Sequence, residues 1–392
     1  MSNLSFRTIL LASVLAYAGN ACAQADIDSI YGFELKVDLK ATPVKDQYKS
    51  ETCWAYAATS YVESELIRLG KGEFDLSEKF FINRDYYLQA IDYVRWNGKK
   101  DFSSGAEAFN VMNRIGDCGI MLEADYGCEF PEYWELDKNI STYINSIVSS
   151  SNKPLTNAWA AGIDAILNSH LGTLPAKFDY NGQTFTPIEF RDFLGFNPSD
   201  YINFSSFSHH PLYKDFILES PDNWDYCHYY NVTIDELTEL IFYSLEKGFT
   251  VLWSGDFSED YIDDYLLVVP EPDTLHTDLT GTDRERLNQS DNDDDNEADD
   301  NDGITKEIAI TPEIRQIAFD NYETTDDHCM HITGYLTDKN GARYLKVKNS
   351  WGEEMSRNGF IYMSEAFFRY KTLNITIHKD AVPTDIKNKL NL

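Results

Sequence analysis

The sequence has few cysteines, few positive charges and no hydrophobic run long enough to stay in a membrane. Six cysteines in 392 residues are far below the density of a disulfide scaffold. No segment reaches the ~18 uninterrupted apolar residues of a membrane span. The 33 Lys and Arg face 65 Asp and Glu, and a formal net charge of −32 repels phosphate backbones and anionic lipids. These shortages argue against nucleic-acid binding and against a stable membrane span.

The chain nevertheless has the composition of a folded protein. Hydrophobic residues make up 43% and aromatic residues 14% of the sequence, which excludes a disordered chain despite the charge. A length of 392 residues is sufficient for two or three packing units around a large core.

The first 25 residues have the features of a secretory signal peptide. A single charge, Arg7, precedes the apolar stretch Ile9–Ala18, and small residues follow it. This pattern marks residues 1–25 for removal and predicts an exported protein, either periplasmic or secreted. Cys22 offers an alternative, lipid attachment, but the residues before it lack the leucine that such sites usually carry.

Apolar periodicity divides the chain into a helical first part and a strand-rich last part. Helical spacing predicts helices at 52–69, 78–96, 106–115, 157–171 and 233–246. Short apolar runs predict strands at 249–253, 331–336, 344–348 and 360–363. Ser50 or Thr52 can cap the first helix. Helices followed by strands indicate two packed halves of unlike class, an α+β organisation.

An acidic run without a basic residue interrupts the strand-rich part. In Asp291–Asp302, eight of twelve residues are Asp or Glu. They fall at the spacing of a calcium-binding loop, but Asn296 stands where such loops have glycine and Asp302 where they have glutamate. A solvated acidic loop accounts for the same composition. The interpretation is a loop within 284–303, with calcium binding left open.

The stretch from Gln47 to Tyr56 places a cysteine at the start of the first predicted helix. Backbone N–H groups and the helix dipole favour a thiolate at Cys53. A neighbouring imidazolium would lower the pKa of this thiol further and give a nucleophile at neutral pH. Taken alone, the dipeptide Cys53-Trp54 also fits a small core residue beside a tryptophan.

Two later stretches supply a candidate base and a residue that can orient it. His328 and His331 lie on opposite faces of a predicted strand, so only one of them can face Cys53. Asn349 ends an apolar row on another strand, where its amide can hold an imidazole in one orientation. Trp351 can shield the pair from water.

With these residues the chain resembles the papain-like cysteine peptidases, and more closely their bleomycin hydrolase and aminopeptidase C branch. The matching motifs are, in chain order, Thr42-Pro43-Val44-Lys45-Asp46-Gln47, Cys53-Trp54, Asp75-Leu76-Ser77-Glu78, the stretch 327–335 and Asn349-Ser350-Trp351-Gly352. A lone Cys-Trp pair is a weak signal, whereas these motifs in one order over most of the mature chain are specific.

The resemblance implies a role for each catalytic position. Cys53 matches the nucleophile, His328 the base that shares its proton, and Asn349 the residue that orients the imidazole. Gln47 matches the side-chain donor of the oxyanion hole, which works with the backbone N–H of Cys53. The supporting aromatic residues are Trp54 and Trp351.

The family pattern also distinguishes between the two histidines. It places Gly-Tyr six and seven residues after the catalytic histidine, and Gly334 and Tyr335 fulfil this for His328. His331 is then an ordinary strand residue.

The sequence predicts neither a metal site nor a cofactor. The histidines that have no motif around them include His209, His210 and His228. Cys118 and Cys128 flank a predicted strand and are candidates for one disulfide. Five cysteines remain after removal of the signal peptide, and the odd number agrees with a thiol that is kept for chemistry.

The resemblance implies a two-lobed α+β fold with a cleft between the lobes. The expected organisation is a helical lobe with the nucleophile at 26–130, a mainly helical insertion at 131–245, a β-barrel-like lobe with the histidine and the asparagine at 246–378, and a C-terminal tail at 379–392.

The implied function is that of an exported thiol peptidase acting on peptides through an acyl-enzyme, with aminopeptidase-like specificity. In this branch the chain end lies in the active-site cleft and restricts cleavage to free N-termini. Val382–Asp385 resembles the segment before that arm, but an arm ending at Leu392 is short for this purpose. Endopeptidase activity in an open cleft is therefore an alternative. A catalytically silent peptide-binding protein is another, disfavoured because all four catalytic positions are present.

Two features near the candidate site depart from the branch, in addition to the short C-terminal arm. Glu51 lies in Ser50-Glu51-Thr52, where relatives usually have glycine and serine, and its charge disfavours acidic substrate side chains. The pocket segment Phe102–Gly105 has one glycine where relatives often have two. Relatives form rings of subunits whose basic channel binds DNA. A homo-oligomer is compatible with this sequence, whereas DNA binding conflicts with its charge.

Overall fold

A computed structural model describes residues 27–127, 133–257, 266–271, 304–354 and 356–392. The predicted signal peptide with Cys22, the thiol of Cys128 and the acidic run 284–303 lie outside these residues. Cys118 is a free thiol. Among the described helices, none combines the length and the apolar character that crossing a bilayer requires.

The helices of the described residues lie mostly in the first two thirds of the chain. They are α1 (Cys53–Arg68), α2 (Glu78–Arg95), α3 (Asn110–Cys118), α4 (Tyr133–Ser149), α5 (Ala158–Leu171), α6 (Pro187–Leu194), α7 (Ile234–Glu246), α8 (Pro312–Asp320), α9 (Glu365–Lys371) and α10 (Thr384–Leu390). The helices predicted at 52–69, 78–96, 157–171 and 233–246 agree with α1, α2, α5 and α7 to within one residue at each end.

The predicted bounds of the third helix are wrong. It was expected at 106–115, but α3 begins at Asn110 and ends at Cys118. The residues before it form a turn, in which the backbone N–H of Asn110 donates to the carbonyl of Glu107 at 2.9 Å, and the N–H of Glu107 donates to the carbonyl of Asp222 at 3.1 Å. Gly119 ends the helix with φ +92°, at a point where a Cβ atom would lie 2.1 Å from the Pro187 backbone.

Twelve strands are described. They are β1 (Glu34–Asp38), β2 (Phe178–Tyr180), β3 (Gln183–Phe185), β4 (Tyr201–Ser205), β5 (Asp215–Ile217), β6 (His228–Asn231), β7 (Val251–Gly255), β8 (Leu266–Leu267), β9 (His328–Thr337), β10 (Arg343–Lys348), β11 (Phe360–Ser364) and β12 (Thr372–His378). Strands β2 and β3 form a hairpin, and the others form one ten-stranded sheet.

The large sheet is open, and the expectation of a barrel-like lobe is wrong in this respect. Its strand order is β5-β6-β4-β12-β7-β9-β10-β11-β8, with β1 paired to β9. Strand β12 pairs with β7 along one edge and with β4 along the other. Strands from residues 131–245 therefore extend the sheet beyond β12, and the described end strands β5 and β8 do not meet.

Each half has its own hydrophobic core. In the helical half, Trp54, Tyr61 and Phe80 are almost fully buried among α1 to α6. In the sheet half, Trp253 and Ile375 are buried beneath α7 and α9. Helix α1 packs directly against β9 and β7. This contact brings the predicted nucleophile to the predicted base.

The sheet half contains strands from residues 131–245, and the C-terminal tail packs against it. The first segment includes β4, β5 and β6 of the large sheet as well as helices α4 to α7. In α10, Ile386 and Leu390 are buried in the core of the sheet half, and Lys389 forms an ion pair with Glu236. Thr384–Leu390 is thus held against the sheet.

Candidate active site

Cys53 is the first residue of α1 and is 8% exposed. Thr52 takes the N-cap position, but its side chain makes no capping hydrogen bond, and the first turn contains no acidic residue. The backbone N–H groups of this turn and the helix dipole therefore act on the Cys53 sulfur without competition from a capping oxygen.

His328 and Asn349 come from adjacent strands. His328 begins β9, where it pairs with Gly255 of β7, and Asn349 follows the last residue of β10. The His328 Nε2 atom lies 2.9 Å from the Asn349 Oδ1 atom. The same oxygen accepts a hydrogen bond of 2.8 Å from the backbone N–H of Ser350, which fixes the amide. The other ring nitrogen, Nδ1, is the atom that can hydrogen-bond with the Cys53 sulfur.

The thiol and the imidazole shift each other's pKa. The pKa of Cys53 lies well below its ordinary value because of hydrogen bonds from Cys329 and then from His328, which outweigh the opposing effect of burial. Burial alone would lower the pKa of His328, but its contact with Cys53 and the hydrogen bond with Asn349 raise it. Both shifts favour a thiolate–imidazolium pair at neutral pH.

Cys329 is a contact of the nucleophile that sequence reasoning missed. Its thiol is buried, lies 3.3 Å from the Ser254 Oγ atom and hydrogen-bonds to Cys53. Contact with Cys53 and burial raise the pKa of Cys329, so this side chain stays protonated and can act as the donor. Its position directly after His328 is the one signal that the sequence offered.

Gln47 lies beside the loop that contains Asn349. Its backbone N–H donates to the Ser350 carbonyl at 2.8 Å, and its side-chain Oε1 atom accepts from the Ser350 hydroxyl at 2.5 Å. The Nε2 atom of Gln47 donates to the Ser50 carbonyl at 2.7 Å. The amide is buried and held from both ends, just before the turn that leads to Cys53.

Aromatic rings enclose the imidazole. The ring of Trp351 lies 5.2 Å from that of His328, and Phe257 lies 5.2 Å from it on another side. Phe257 was not identified from the sequence. Trp54 lies in the core, where its indole N–H donates to the Ser104 carbonyl at 3.0 Å. Trp54 therefore positions the segment that contains Gly105.

The structure places His331 away from the thiol–imidazole pair. Its Nδ1 atom lies 2.9 Å from the Ser60 hydroxyl within α1, and its ring packs edge-on against Tyr61. Burial and the charge of Lys348 hold the pKa of His331 well below its ordinary value. His331 is a buried neutral side chain at the contact between α1 and the sheet.

Four carboxyl groups lie close to one another at this site, and we call them the acidic group: Glu51, Glu107, Asp222 and Asp326. Two of them, Asp222 and Asp326, also interact electrostatically with Cys53. None of the four forms an ion pair with a Lys or Arg of the described residues. Burial raises the pKa of Asp222 to about 9, and the charges of Asp326, Glu107, Cys53 and Glu51 add to the effect.

Two members of the acidic group, Asp222 and Glu51, contact the segment that the resemblance assigns to the substrate pocket. A Cβ atom on Gly105 would lie 2.4 Å from the Asp222 carboxylate, so this carboxylate rests directly on the glycine. Glu51 accepts a hydrogen bond of 2.5 Å from the Ser104 hydroxyl. Glu107 accepts a hydrogen bond of 2.9 Å from the Asn374 side chain, and its other oxygen, Oε1, is buried without a hydrogen-bond partner among the described residues. The sequence singled out only Glu51 of these four.

Known proteins share both the sequence pattern and the fold. A sequence model of the Peptidase C1-like family matches residues 314–392, which contain the predicted base and its asparagine. Aminopeptidase C of Lactobacillus helveticus is 22% identical over an alignment of 418 residues that covers 94% of this chain and 85% of that protein. Aminopeptidase C of Listeria monocytogenes is 21% identical over 433 residues, covering 98% and 90%. Over most of its length the chain is similar to aminopeptidase C proteins, and this similarity supports a cysteine peptidase.

This peptidase is aminopeptidase C-like over nearly its whole length, as its motifs indicated. A crystal structure of PepW from Lactobacillus rhamnosis HN001 superimposes on it with a TM-score of 0.65 at 18% identity. That match covers 99% of this chain and 92% of PepW, and it establishes the papain-like fold.

Proposed function

We propose that this peptidase hydrolyses peptides through Cys53, His328 and Asn349, and that it prefers substrates with a free N-terminus. One observation carries the proposal. A buried thiol at a helix start contacts an imidazole whose far nitrogen lies 2.9 Å from an amide oxygen. A nucleophile, a base and an orienting group in this order are the parts that acyl transfer requires.

The reaction follows from these positions. The Cys53 thiolate attacks the scissile carbonyl carbon and forms a tetrahedral intermediate. As the C–N bond breaks, His328 gives its Nδ1 proton to the leaving amine, and a thioester to Cys53 remains. Water then loses a proton to the neutral imidazole and attacks the thioester, which releases the acid and restores the thiolate. Asn349 keeps the ring in the same orientation through both steps.

Gln47 and the backbone N–H of Cys53 would stabilise the negative oxygen of each intermediate. One amide hydrogen of Gln47 is used by the Ser50 carbonyl, and the second is available to the oxyanion. Because Ser350 fixes the other end of the amide, the donor needs no rearrangement during the reaction.

The preference for a free N-terminus rests on the acidic group. Its carboxyl groups lie close together without a Lys or Arg ion-pair partner among the described residues. Burial raises the pKa values of Glu107, Asp222 and Asp326, and the charges of neighbouring carboxylates add to the rise at Glu107 and Asp222. A bound ammonium relieves the repulsion. Thr384–Leu390 packs against the sheet half. Binding of the substrate ammonium is therefore assigned to the acidic group and not to this C-terminal segment.

Paired substrates test the preference. We expect an aminoacyl amide with a free α-amine to be cleaved faster than its N-acetyl counterpart, and Asp222→Asn to reduce this ratio about 10- to 150-fold. The estimate assumes a hydrogen bond between charged groups of about 1.5–3 kcal/mol. Asp215→Asn is the control, because this exposed carboxylate pairs with His228 on β6. Equal cleavage of free and acetylated substrates would support the endopeptidase alternative instead.

The catalytic assignment has a separate test. A peptidyl epoxide is expected to label Cys53 in the reduced, folded protein and to leave Cys53→Ala unlabelled. Absence of labelling in the wild-type protein would favour the silent binding alternative.

We also propose that the protein is exported, on the basis of its N-terminal pattern. The N-terminal sequence of the protein recovered from the periplasm or the medium is expected to begin after Ala23 or Ala25. An intact N-terminus in the cell interior would contradict export. Light scattering on the same material would determine whether it forms the homo-oligomer that relatives form.

A further inference from the structure

Two histidines and a glutamate converge at the surface, outside the catalytic site. His209 and His210 lie between β4 and β5, and Glu219 follows β5. The Nε2 atom of His209 lies 3.1 Å from the Glu219 Oε2 atom, and the Nε2 atom of His210 lies 3.0 Å from the Glu219 Oε1 atom. One potential ligand atom from each of the three side chains lies within 4.8 Å of the other two.

These separations are close to those of a metal site. In a tetrahedral zinc site each ligand atom lies about 2.0–2.1 Å from the metal, which places the ligand atoms about 3.3 Å from one another. Two imidazole nitrogens and one carboxylate suit Zn²⁺ and related divalent transition metals, whereas Ca²⁺ and Mg²⁺ prefer oxygen ligands. Three protein ligands leave a fourth position for water.

A buried glutamine, Gln316, hydrogen-bonds to the Nδ1 atom of His209. The Nδ1 atom of His209 lies 3.2 Å from Oε1 and 2.9 Å from Nε2 of Gln316. Gln316 is held by the backbone N–H of Ser208 and by Asp320. Its amide can serve both forms of the ring, since it donates to Nδ1 when Nε2 carries the proton and accepts from Nδ1–H when Nε2 binds a metal. Such outer contacts commonly orient metal-binding histidines.

Aromatic packing fixes both rings. His209 stacks on Phe319 at 5.6 Å and an interplanar angle of 11°, and His210 stacks on Phe216 at 4.4 Å. The carbonyl of His210 accepts a hydrogen bond of 2.8 Å from the Asn231 side chain. The two rings are therefore positioned before any ion arrives, which reduces the entropy lost on binding.

We propose that His209, His210 and Glu219 bind a divalent transition metal of the Zn²⁺ class. The bound ion joins the loop after β4 to the end of β5 and stabilises the folded protein in proportion to its occupancy. The absence of a sequence motif does not oppose the site, because ligands that are adjacent in space need no fixed spacing along the chain.

Metal titration in a Cys53→Ala background tests the proposal, because a thiolate at the catalytic site would also bind Zn²⁺. We expect one equivalent of Co²⁺ to produce the visible bands of tetrahedral coordination, and Zn²⁺ to displace it and raise the Tm. His210→Ala is expected to weaken binding at least tenfold. His228→Ala is the matched control, since His228 is an exposed histidine with a single carboxylate partner, Asp215.

Glu219→Gln separates metal binding from a purely structural hydrogen-bonded cluster. The amide retains an oxygen that can accept from the histidine rings, but it is a poor metal ligand. Loss of Co²⁺ binding in Glu219→Gln with little change in metal-free Tm supports the site. The proposal is overturned if the Cys53→Ala protein binds neither ion, or if Glu219→Gln and His210→Ala bind both ions as tightly as the background protein does.

Discussion

Replacing Asn349 with alanine is the most direct test of how the catalytic imidazole is held. The substitution removes one hydrogen bond of 2.9 Å to His328, and both side chains are 6% exposed, so water cannot readily replace the lost acceptor. A hydrogen bond to a charged group contributes about 1.5–3 kcal/mol. Because 1.36 kcal/mol corresponds to a tenfold change in rate, kcat/KM should fall about 10- to 150-fold.

The pH profile adds a second readout of the same substitution. The hydrogen bond with Asn349 helps to raise the pKa of His328, so its loss should lower that pKa and move the alkaline limb of kcat/KM to lower pH. The rings of Trp351 and Phe257 still flank the imidazole in the variant, which is why we do not expect complete inactivation.

The assay is steady-state hydrolysis of a fluorogenic aminoacyl amide across pH, with thermal unfolding as a check of the fold. Asn349→Asp is the matched variant. It keeps an acceptor for His328 and for the backbone N–H of Ser350, and should lose less activity than Asn349→Ala. A folded Asn349→Ala enzyme within twofold of wild-type kcat/KM, with an unmoved alkaline limb, would refute this reasoning.

Three further predictions concern the same site. The kcat/KM of the wild-type enzyme should depend on pH as a bell: it rises as Cys53 loses its proton below the ordinary thiol pKa, and falls as His328 loses its proton above the ordinary imidazole pKa. A profile that rises only near pH ~8.5, the ordinary thiol pKa, would contradict an ion pair. Gln47→Ala should lower kcat about 100- to 1,000-fold with a smaller effect on KM, as expected for an oxyanion donor, and an unchanged kcat would remove Gln47 from that role. His331→Ala should retain most activity but lose about 1–3 kcal/mol of unfolding free energy in urea, because it leaves the buried Ser60 hydroxyl with one contact fewer. Full inactivation of a folded His331→Ala enzyme would overturn the choice of His328.

Local elements were predictable where the sequence pattern and the tertiary contacts agree. Helix α1 begins at Cys53, as apolar spacing indicated. The predicted start of α3 was wrong because the residues before Asn110 form a turn, and the backbone of Glu107 there contacts Asp222 of a distant segment. The open sheet was missed for a similar reason. Strand β12 pairs with β4, which comes from residues 131–245. The periodicity within a strand does not specify which other strand will pair with it.

Most residues of the candidate active site could be proposed from the sequence because they belong to short motifs. The contacts that surround these residues could not be predicted from the sequence. Phe257 and Asp222 lie in segments without a distinctive pattern, and Cys329 lies in a motif that assigns it no role. Each of the three contacts or interacts with Cys53 or His328 only through the fold.

The sequence by itself determined which residues are candidates for catalysis: a cysteine at a helix start, a histidine at a strand start, and an asparagine after the next strand. Only the tertiary structure decided the environment in which that chemistry operates. Packing of α1 against β9 brings the thiol beside the imidazole and the Cys329 thiol. The tertiary structure also decided that carboxyl groups from separate segments lie close together beside the candidate site. Electrostatic and hydrogen-bond energies depend on distances in space, and residues far apart along a chain acquire those distances only when it folds.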